Sequence, residues 1–315
     1  MATKKSQIVS RVRHRAEFIL ILVTMFWGGT FVIVKESLSD ISPMFFVATR
    51  FTIAVILVSP FIFKYRNQFT KQAIFGGSFL GILTFIGFAT QTAGLQYTTA
   101  TRSAFITSTS VVFVPLLQVL IEKRRPANGS IIGIILVIIG VIFLSSGGTS
   151  VLTFISDLGK NFNYGDFLTL ICAVSYAGYI VYLDVTSKKN GFWPIFMMQM
   201  LVTAILAYIF AMIFDITGIE HVKFIITKNL IFGLGYTAII TTLLTTALLI
   251  KYQKALTPTK AGIIYSLEPL FASIIAFFVL SEKISNFGLI GSILIFLGLI
   301  TSETFDLAVE KWIKK

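Results

Sequence analysis

Residues 17–34 read EFILILVTMFWGGTFVIV, eighteen residues with a single charge, Glu17, at the first position. A helix needs about 20 predominantly apolar residues to cross the hydrocarbon of a bilayer, whereas a spanning strand needs only about ten, alternating apolar with polar. This stretch is long and does not alternate, so it predicts a membrane helix. Arginines precede it, as in a secretory signal, but the apolar run continues to Val34 without a small-residue cleavage site. The expected segment is therefore a retained first span rather than a removed leader.

Nine more stretches follow the same rule, near 43–63, 73–95, 101–121, 129–146, 166–183, 194–214, 230–250, 258–280 and 287–302. The chain is 56% hydrophobic and only 13% charged, against about a quarter charged in soluble domains, so its solvent is lipid. The net charge of +12 does not point to nucleic acid, because the basic residues are scattered through short connections rather than gathered on one folded face. With the N-terminus inside, nineteen of the 26 Lys and Arg residues fall in inside segments, among them Arg11, Lys71, Lys189, Lys251 and Lys315. Six fall outside (Lys35, Arg102, Lys160, Lys223, Lys228 and Lys283), and Arg50 lies within a span. Positive loops stay inside, so both termini are expected in the cytoplasm.

Enzyme chemistry finds no support. Cys172 stands alone, His14 and His221 are far apart in expected surface loops, and Gly233-x-Gly235 is too short for a dinucleotide fingerprint. No cofactor and no metal are expected.

The two halves share landmarks. Glu17 opens the first span and Asp166 the sixth; Phe26-Trp27-Gly28-Gly29 answers Ser175-Tyr176-Ala177-Gly178; Pro43 answers Pro194. Glu122-Lys123 follows the fourth span and Glu282-Lys283 the ninth, and the spacing Gly133/Gly140 recurs as Gly291/Gly298. Five helices is an odd number, so a second copy must enter the membrane from the opposite side. The expected fold is all-α: ten transmembrane helices as two inverted five-helix repeats, 16–147 and 164–304, between basic cytoplasmic segments 1–15 and 305–315. Inverted repeats recur in secondary transporters, with the site near the midplane.

These landmarks resemble the drug/metabolite transporter superfamily, in its EamA family. The resemblance rests on Met25-Phe26-Trp27-Gly28-Gly29-Thr30-Phe31, on Arg50-Phe51, and on Thr101-Arg102-Ser103-Ala104-Phe105 with Val112-Phe113-Val114-Pro115-Leu116 and Glu122. Tyr265-Ser266-Leu267-Glu268-Pro269 and Leu280-Ser281-Glu282-Lys283 extend it over nearly the whole chain. Ile121 departs from the pattern, which has glycine before the acid. The resemblance implies export of amino acids, related metabolites or amphiphilic compounds across a bacterial or archaeal inner membrane, through a central cavity bordered by the first and ninth spans.

Several residues inside spans carry polar chemistry. Buried Trp and Tyr need partners for N–H and O–H, so Trp27, Tyr176, Tyr179, Tyr236 and Tyr265 either line a cavity or pack between helices. Gln91 adds an amide, and hydroxyls cluster at Thr107–Ser110 and at Thr241, Thr242, Thr245 and Thr246. Gly28-Gly29 and Gly77-x-x-x-Gly81 permit a kink or a close helix contact. Arg50 and Glu268 lie deep in their spans, where a lone charge costs at least about 2.5–3.5 kcal/mol. Glu268 is thus expected to be protonated, paired or cavity-facing, beside a helix opened by Pro269. The expected substrate-binding set is Trp27, Gln91, Tyr176, Tyr179, Tyr236, Tyr265 and Glu268. The partners are a small solute, the bilayer and protons as coupling ion, and a homodimer is compatible with this reading. Efflux of toxic amphiphiles would suit the same aromatic lining. A membrane-embedded enzyme or sensor would need a catalytic constellation or an output domain, and the loops, about 15–20 residues at most, leave no room for one.

Overall fold

With no water in the bilayer core, each segment must satisfy its own backbone, and the apolar stretches do so as helices. The computed structural model describes residues 2–122, 128–145, 162–256, 258–265 and 267–313. The basic run Lys123-Arg124-Arg125, Lys160, Ser266, Lys314 and Lys315 lie outside the described residues. The first half holds α1 (Ala2–Ser37), α2 (Pro43–Val58), α3 (Pro60–Tyr65), α4 (Lys71–Gly94), α5 (Ala100–Ser108), α6 (Ser110–Glu122) and α7 (Asn128–Ser145). The second holds α8 (Tyr164–Lys189), α9 (Phe192–Ile216), α10 (Lys228–Gly235), a wide π-helical segment Tyr236–Leu244, α11 (Thr245–Tyr252), α12 (Pro258–Tyr265), α13 (Glu268–Leu280) and α14 (Asn286–Ile313).

Among the described residues, six helices are long and apolar enough to cross a membrane, and the pair Pro43–Val58 and Pro60–Gln68, bent by 53°, makes a seventh. Shorter apolar helices occupy the other expected spans, at Ile131–Gly140, Glu268–Leu280 and Asn286–Gly298. Helix α1 begins earlier than the apolar pattern, since residues 2–16 contain neither Gly nor Pro to stop it. His14 therefore lies on a helix rather than in a loop, exposed and 3.2 Å from Glu17. The outer faces are strongly apolar: Phe278 is 78% exposed, Phe75 71% and Met212 65%. A surface of that kind suits lipid and not water.

Lipid tails are as apolar as leucine, so helices associate through close packing of small residues rather than by escaping solvent. Two contacts show it. A Cβ added to Gly77 would sit 2.7 Å from Met198 Cβ, and one added to Gly81 2.7 Å from Val202 Cβ, so this pair serves the approach of α4 to α9. The spaced glycines of α7 and α14 meet reciprocally. A Cβ on Gly140 would lie 2.8 Å from the Gly291 carbonyl, and one on Gly298 2.8 Å from the Gly133 carbonyl. Gly28 likewise admits Phe271 and Ala272 of α13, and α1 runs on as helix through the Gly28-Gly29 pair. Corresponding helices thus pack on each other (α2 on α9, α7 on α14), while α1 packs on α13 as α8 packs on α5 and α6.

Two expected spans are interrupted near their middles. The fourth breaks at Thr109, between α5 and α6, and the ninth breaks between α12 and α13. Pro269 stands in the first turn of α13, where its missing N–H costs nothing. The break falls about one turn before it, as the lost hydrogen bond requires.

Candidate functional site

Both broken helices point their interruptions at one cavity of about 80 Å³, room for several waters or a small solute. Its wall includes Trp27, Thr30 and Phe31 of α1, Thr84, Phe88 and Gln91 of α4, and Thr107 and Ser110 at the first break. From the second half come Tyr176, Tyr179 and Ile180 of α8, Thr241, Thr246 and Leu249, and Tyr265 and Glu268 at the second break. Arg50 of α2 and Gln199 of α9 complete it.

The lining falls into pairs at constant sequence distance. Trp27 and Tyr176, Thr30 and Tyr179, and Phe31 and Ile180 are each 149 residues apart. Thr84 and Thr241 are 157 apart; Phe88 and Thr246, Gln91 and Leu249, Thr107 and Tyr265, and Ser110 and Glu268 are each 158 apart. The extra residue enters between Thr241 and Thr246, within the π-helical segment that widens the turn there. A π-bulge is an inserted residue, and such insertions gather at functional sites.

Six of the seven sequence-derived candidates meet here. Trp27 and Tyr265 rings lie 5.5 Å apart, tilted by 57°. Trp27 Nε1 donates to Thr245 Oγ1 at 3.2 Å, and the Tyr265 hydroxyl donates to Gln253 Oε1 at 3.0 Å. Gln91 Nε2 donates to Thr107 Oγ1 at 3.2 Å, and the Tyr179 hydroxyl to Gln199 Oε1 at 3.4 Å. The Tyr176 ring rests against Gly87, where any Cβ would intrude on it. Tyr236 stands apart from the wall. Its hydroxyl donates to the Phe26 carbonyl at 2.9 Å and lies over Gly29, so it joins α1 to the π-helical segment.

The hydroxyl clusters divide by role. Thr107, Ser110, Thr241 and Thr246 face the cavity. Ser108 and Thr109 donate to carbonyls of their own helix, at Ala104 and Ile106. Thr241 and Thr242 hold Arg50, whose Nε donates to Thr242 Oγ1 at 2.5 Å and whose Nη2 donates to Thr241 Oγ1 at 3.0 Å and to the Thr241 carbonyl at 3.2 Å. The guanidinium also lies 4.4 Å from the Phe88 ring centre, a favourable cation–π distance. Among the described residues no carboxylate pairs with Arg50 and no hydrogen-bond donor reaches Glu268. The buried Thr84 hydroxyl also lacks a partner among them. Arg50, Thr84 and Gln199 were missing from the sequence-derived set. A polar residue deep in a span was their signal, as it was for Gln91.

The comparisons agree with this geometry. The sequence pattern of the EamA-like transporter family matches residues 14–146 and 163–303. A protein of Archaeoglobus fulgidus named an uncharacterized transporter is 33% identical over 290 residues, covering 91% of this chain and 85% of its own. Bacillus subtilis YoaV, also named an uncharacterized transporter, is 20% identical over 93% of this chain and 97% of its own. A crystal structure of another protein superposes with a TM-score of 0.66 at 13% identity, covering 95% of this chain and 99% of that one, and shows a shared fold alone. With both halves matching one family of membrane transporters, the chain is a multi-pass membrane transporter and not an enzyme; it belongs to the EamA-like transporter family.

Proposed function

We propose that the chain is a secondary-active transporter of ten membrane helices, built as two inverted five-helix repeats (16–147 and 164–304) with both termini cytoplasmic. It exports amino acids or related small metabolites across the cytoplasmic membrane by alternating access through the cavity. The paired lining and the reciprocal glycines of α7 and α14 support the inversion, because both relate the halves as a two-fold axis in the membrane plane would.

The observation that carries the substrate reading is the pair Arg50 and Glu268. They are the charged residues of the wall, opposite in sign and unpaired with each other. Each is ionisable where its counterpart on the wall is neutral: Gln199 stands 149 residues after Arg50, and Ser110 stands 158 residues before Glu268. A zwitterion matches them, its carboxylate toward Arg50 and its ammonium toward Glu268, with Trp27, Tyr176 and Tyr265 taking the apolar part. Glu268 sits in the first turn of α13. The helix dipole favours a carboxylate there by ~0.3–1 kcal/mol, less than the ~2.5–3.5 kcal/mol of a lone charge at depth. The balance is supplied by a proton or by a substrate cation, and exchange between the two couples transport to a proton gradient.

The aromatic walls also favour a second reading, efflux of amphiphilic compounds. Uptake into proteoliposomes, screened over amino acids and lipophilic cations with and without a proton gradient, separates them. Amino-acid uptake driven by the gradient is the expected result, with Trp27→Ala lowering it about tenfold, near the upper end of one lost aromatic contact, at unchanged thermal stability. Uptake of lipophilic cations alone would replace the amino-acid reading by the second. A Trp27→Ala protein that fails to fold would make Trp27 a packing residue.

A further inference from the structure

Between α2 and α4 the chain makes an elbow, away from the cavity. Pro60 has no N–H to offer the Ile56 carbonyl, and the Ser59 hydroxyl donates to that carbonyl instead, at 2.8 Å. The axis turns by 53° there, so α3 does not continue the line of α2. A proline that removes one rung of the hydrogen-bond ladder is a sufficient cause for such a bend. Helix α3 buries none of its residues. Phe63 is 82% exposed, and Phe61 and Ile62 are exposed beside it.

The inner side of the elbow is aromatic. Phe61 and Tyr65, one turn apart, both lie nearly parallel to the Trp193 ring, with centroids 4.8 and 4.6 Å from it. Trp193 stands in the first turn of α9, so the elbow rests on the connection from α8 to α9. Gln68 packs there as well, since a Cβ on Gly191 would lie 2.7 Å from its Oε1. Trp and Tyr gather where hydrocarbon meets headgroups, because each has an apolar body and a polar edge. The free charges around this stack are of one sign. Lys64, Arg66, Lys71 and Lys189 are exposed, and among the described residues no carboxylate pairs with them. Asp184 is taken by Lys188 at 2.7 Å, and no acid occurs from residue 41 to 121 or from 185 to 214.

We propose that this elbow lies in the headgroup layer of the membrane and holds an anionic phospholipid. Its phosphate is attracted by Lys64, Arg66, Lys71 and Lys189, and its chains run beside Ile62 and Phe63. The apolar side of α3 needs hydrocarbon and its basic side needs anions, and the bilayer surface offers both within one turn of helix. Lysine and arginine suit that depth, because their apolar stems lie along the hydrocarbon while their charged heads reach the phosphates. A zwitterionic headgroup brings no net charge to the four cations, whereas an anionic one does. A second copy of this chain, set face to face, would present the same cations and be repelled. The inference needs only that the chain spans a membrane; it does not depend on which solute is carried.

Phe63→Cys in a Cys172→Ser background, labelled with a bimane and reconstituted, reports contact with lipid through quenching by brominated phospholipid. Brominated phosphatidylglycerol and brominated phosphatidylcholine are each titrated into vesicles of plain phosphatidylcholine. Both are expected to quench the label, with phosphatidylglycerol preferred about fivefold, the factor equivalent to ~1 kcal/mol for a basic residue near an anionic surface. Added salt should lower that preference, because exposed charges are screened. Lys64→Gln, Arg66→Gln and Lys71→Gln together should bring the two lipids level without removing the quenching, and Lys64→Arg with Lys71→Arg should keep the preference. Equal quenching by both lipids before any charge is removed would overturn the anionic site. No quenching by either would mean that water or another chain covers this face, and would overturn the placement in the headgroup layer. A preference that survives the triple substitution would overturn the assignment to these residues. If the triple variant does not fold, the ratio measured with all charges present decides the proposal alone.

Discussion

Arg50→Gln is expected to cut amino-acid uptake by about thirtyfold or more. Losing one side of a buried, hydrogen-bonded charge contact costs about 2–5 kcal/mol, and each 1.4 kcal/mol is about a factor of ten. Arg50 is 1% exposed, yet the groups that hold it are neutral: Thr241, Thr242 and the face of Phe88. A cation so placed keeps its charge available to an anion in the cavity. Arg50→Lys should recover only part of the activity, because an ammonium cannot reproduce the planar fork that reaches both threonines. Binding measured by thermal shift with the substrate carboxylate replaced by an amide separates the roles. If Arg50 receives the carboxylate, the native protein discriminates strongly against the amide and Arg50→Gln loses that discrimination. Equal preference before and after the substitution would make Arg50 a brace between α2 and the π-helical segment only.

Glu268→Gln is expected to abolish accumulation driven by a proton gradient while preserving substrate exchange across vesicles without one. The amide keeps the shape of the carboxyl and removes its titration. No donor among the described residues holds the carboxylate in place, so the substitution breaks no internal bond, and the folded yield should match the parent. The measurement is uptake between roughly pH 5.5 and 8, a window suited to a carboxyl exchanging protons in a partly desolvated site. A Glu268→Gln protein with parental pH dependence would leave Glu268 a structural residue at the start of α13 and remove the proton-coupling proposal.

Much of this arrangement was legible in the sequence, because bilayer thickness imposes segment length and the cost of burying polar groups marks the unusual residues. Trp27, Gln91, Tyr176, Tyr179, Tyr265 and Glu268 announce themselves as polar or amphipathic side chains inside apolar spans, and they gather at one cavity. Tyr236 fits the same description and lies elsewhere. Which face of a helix a residue occupies is read from contrast between faces, and an apolar helix surrounded by lipid and other apolar helices offers little. The helix break before Glu268 was foreshadowed by Pro269, whereas Pro115 lies inside α6 and the break at Thr109 falls before it without such a marker. The π-helical insertion changes the repeat offset from 157 to 158, a shift visible only once the cavity shows which residues face each other. Helix α1 ran past its apolar stretch because the polar residues before it contain no breaker, a case where hydropathy marks the membrane boundary and not the helix end.

On the proposed inverted repeat, a two-fold relation between the halves underlies both the cavity and the two ionisable residues that break its symmetry. Lys71 and Lys228 test it most directly. They open α4 and α10, corresponding helices 157 residues apart, and both are exposed. Single cysteines at these positions, in a Cys172→Ser background, should label from opposite faces of the membrane. The account predicts that an impermeant maleimide added to intact cells labels the cysteine at 228 and spares the one at 71, with the pattern reversed in inside-out vesicles. Labelling of both positions from the same face would contradict the inverted repeat.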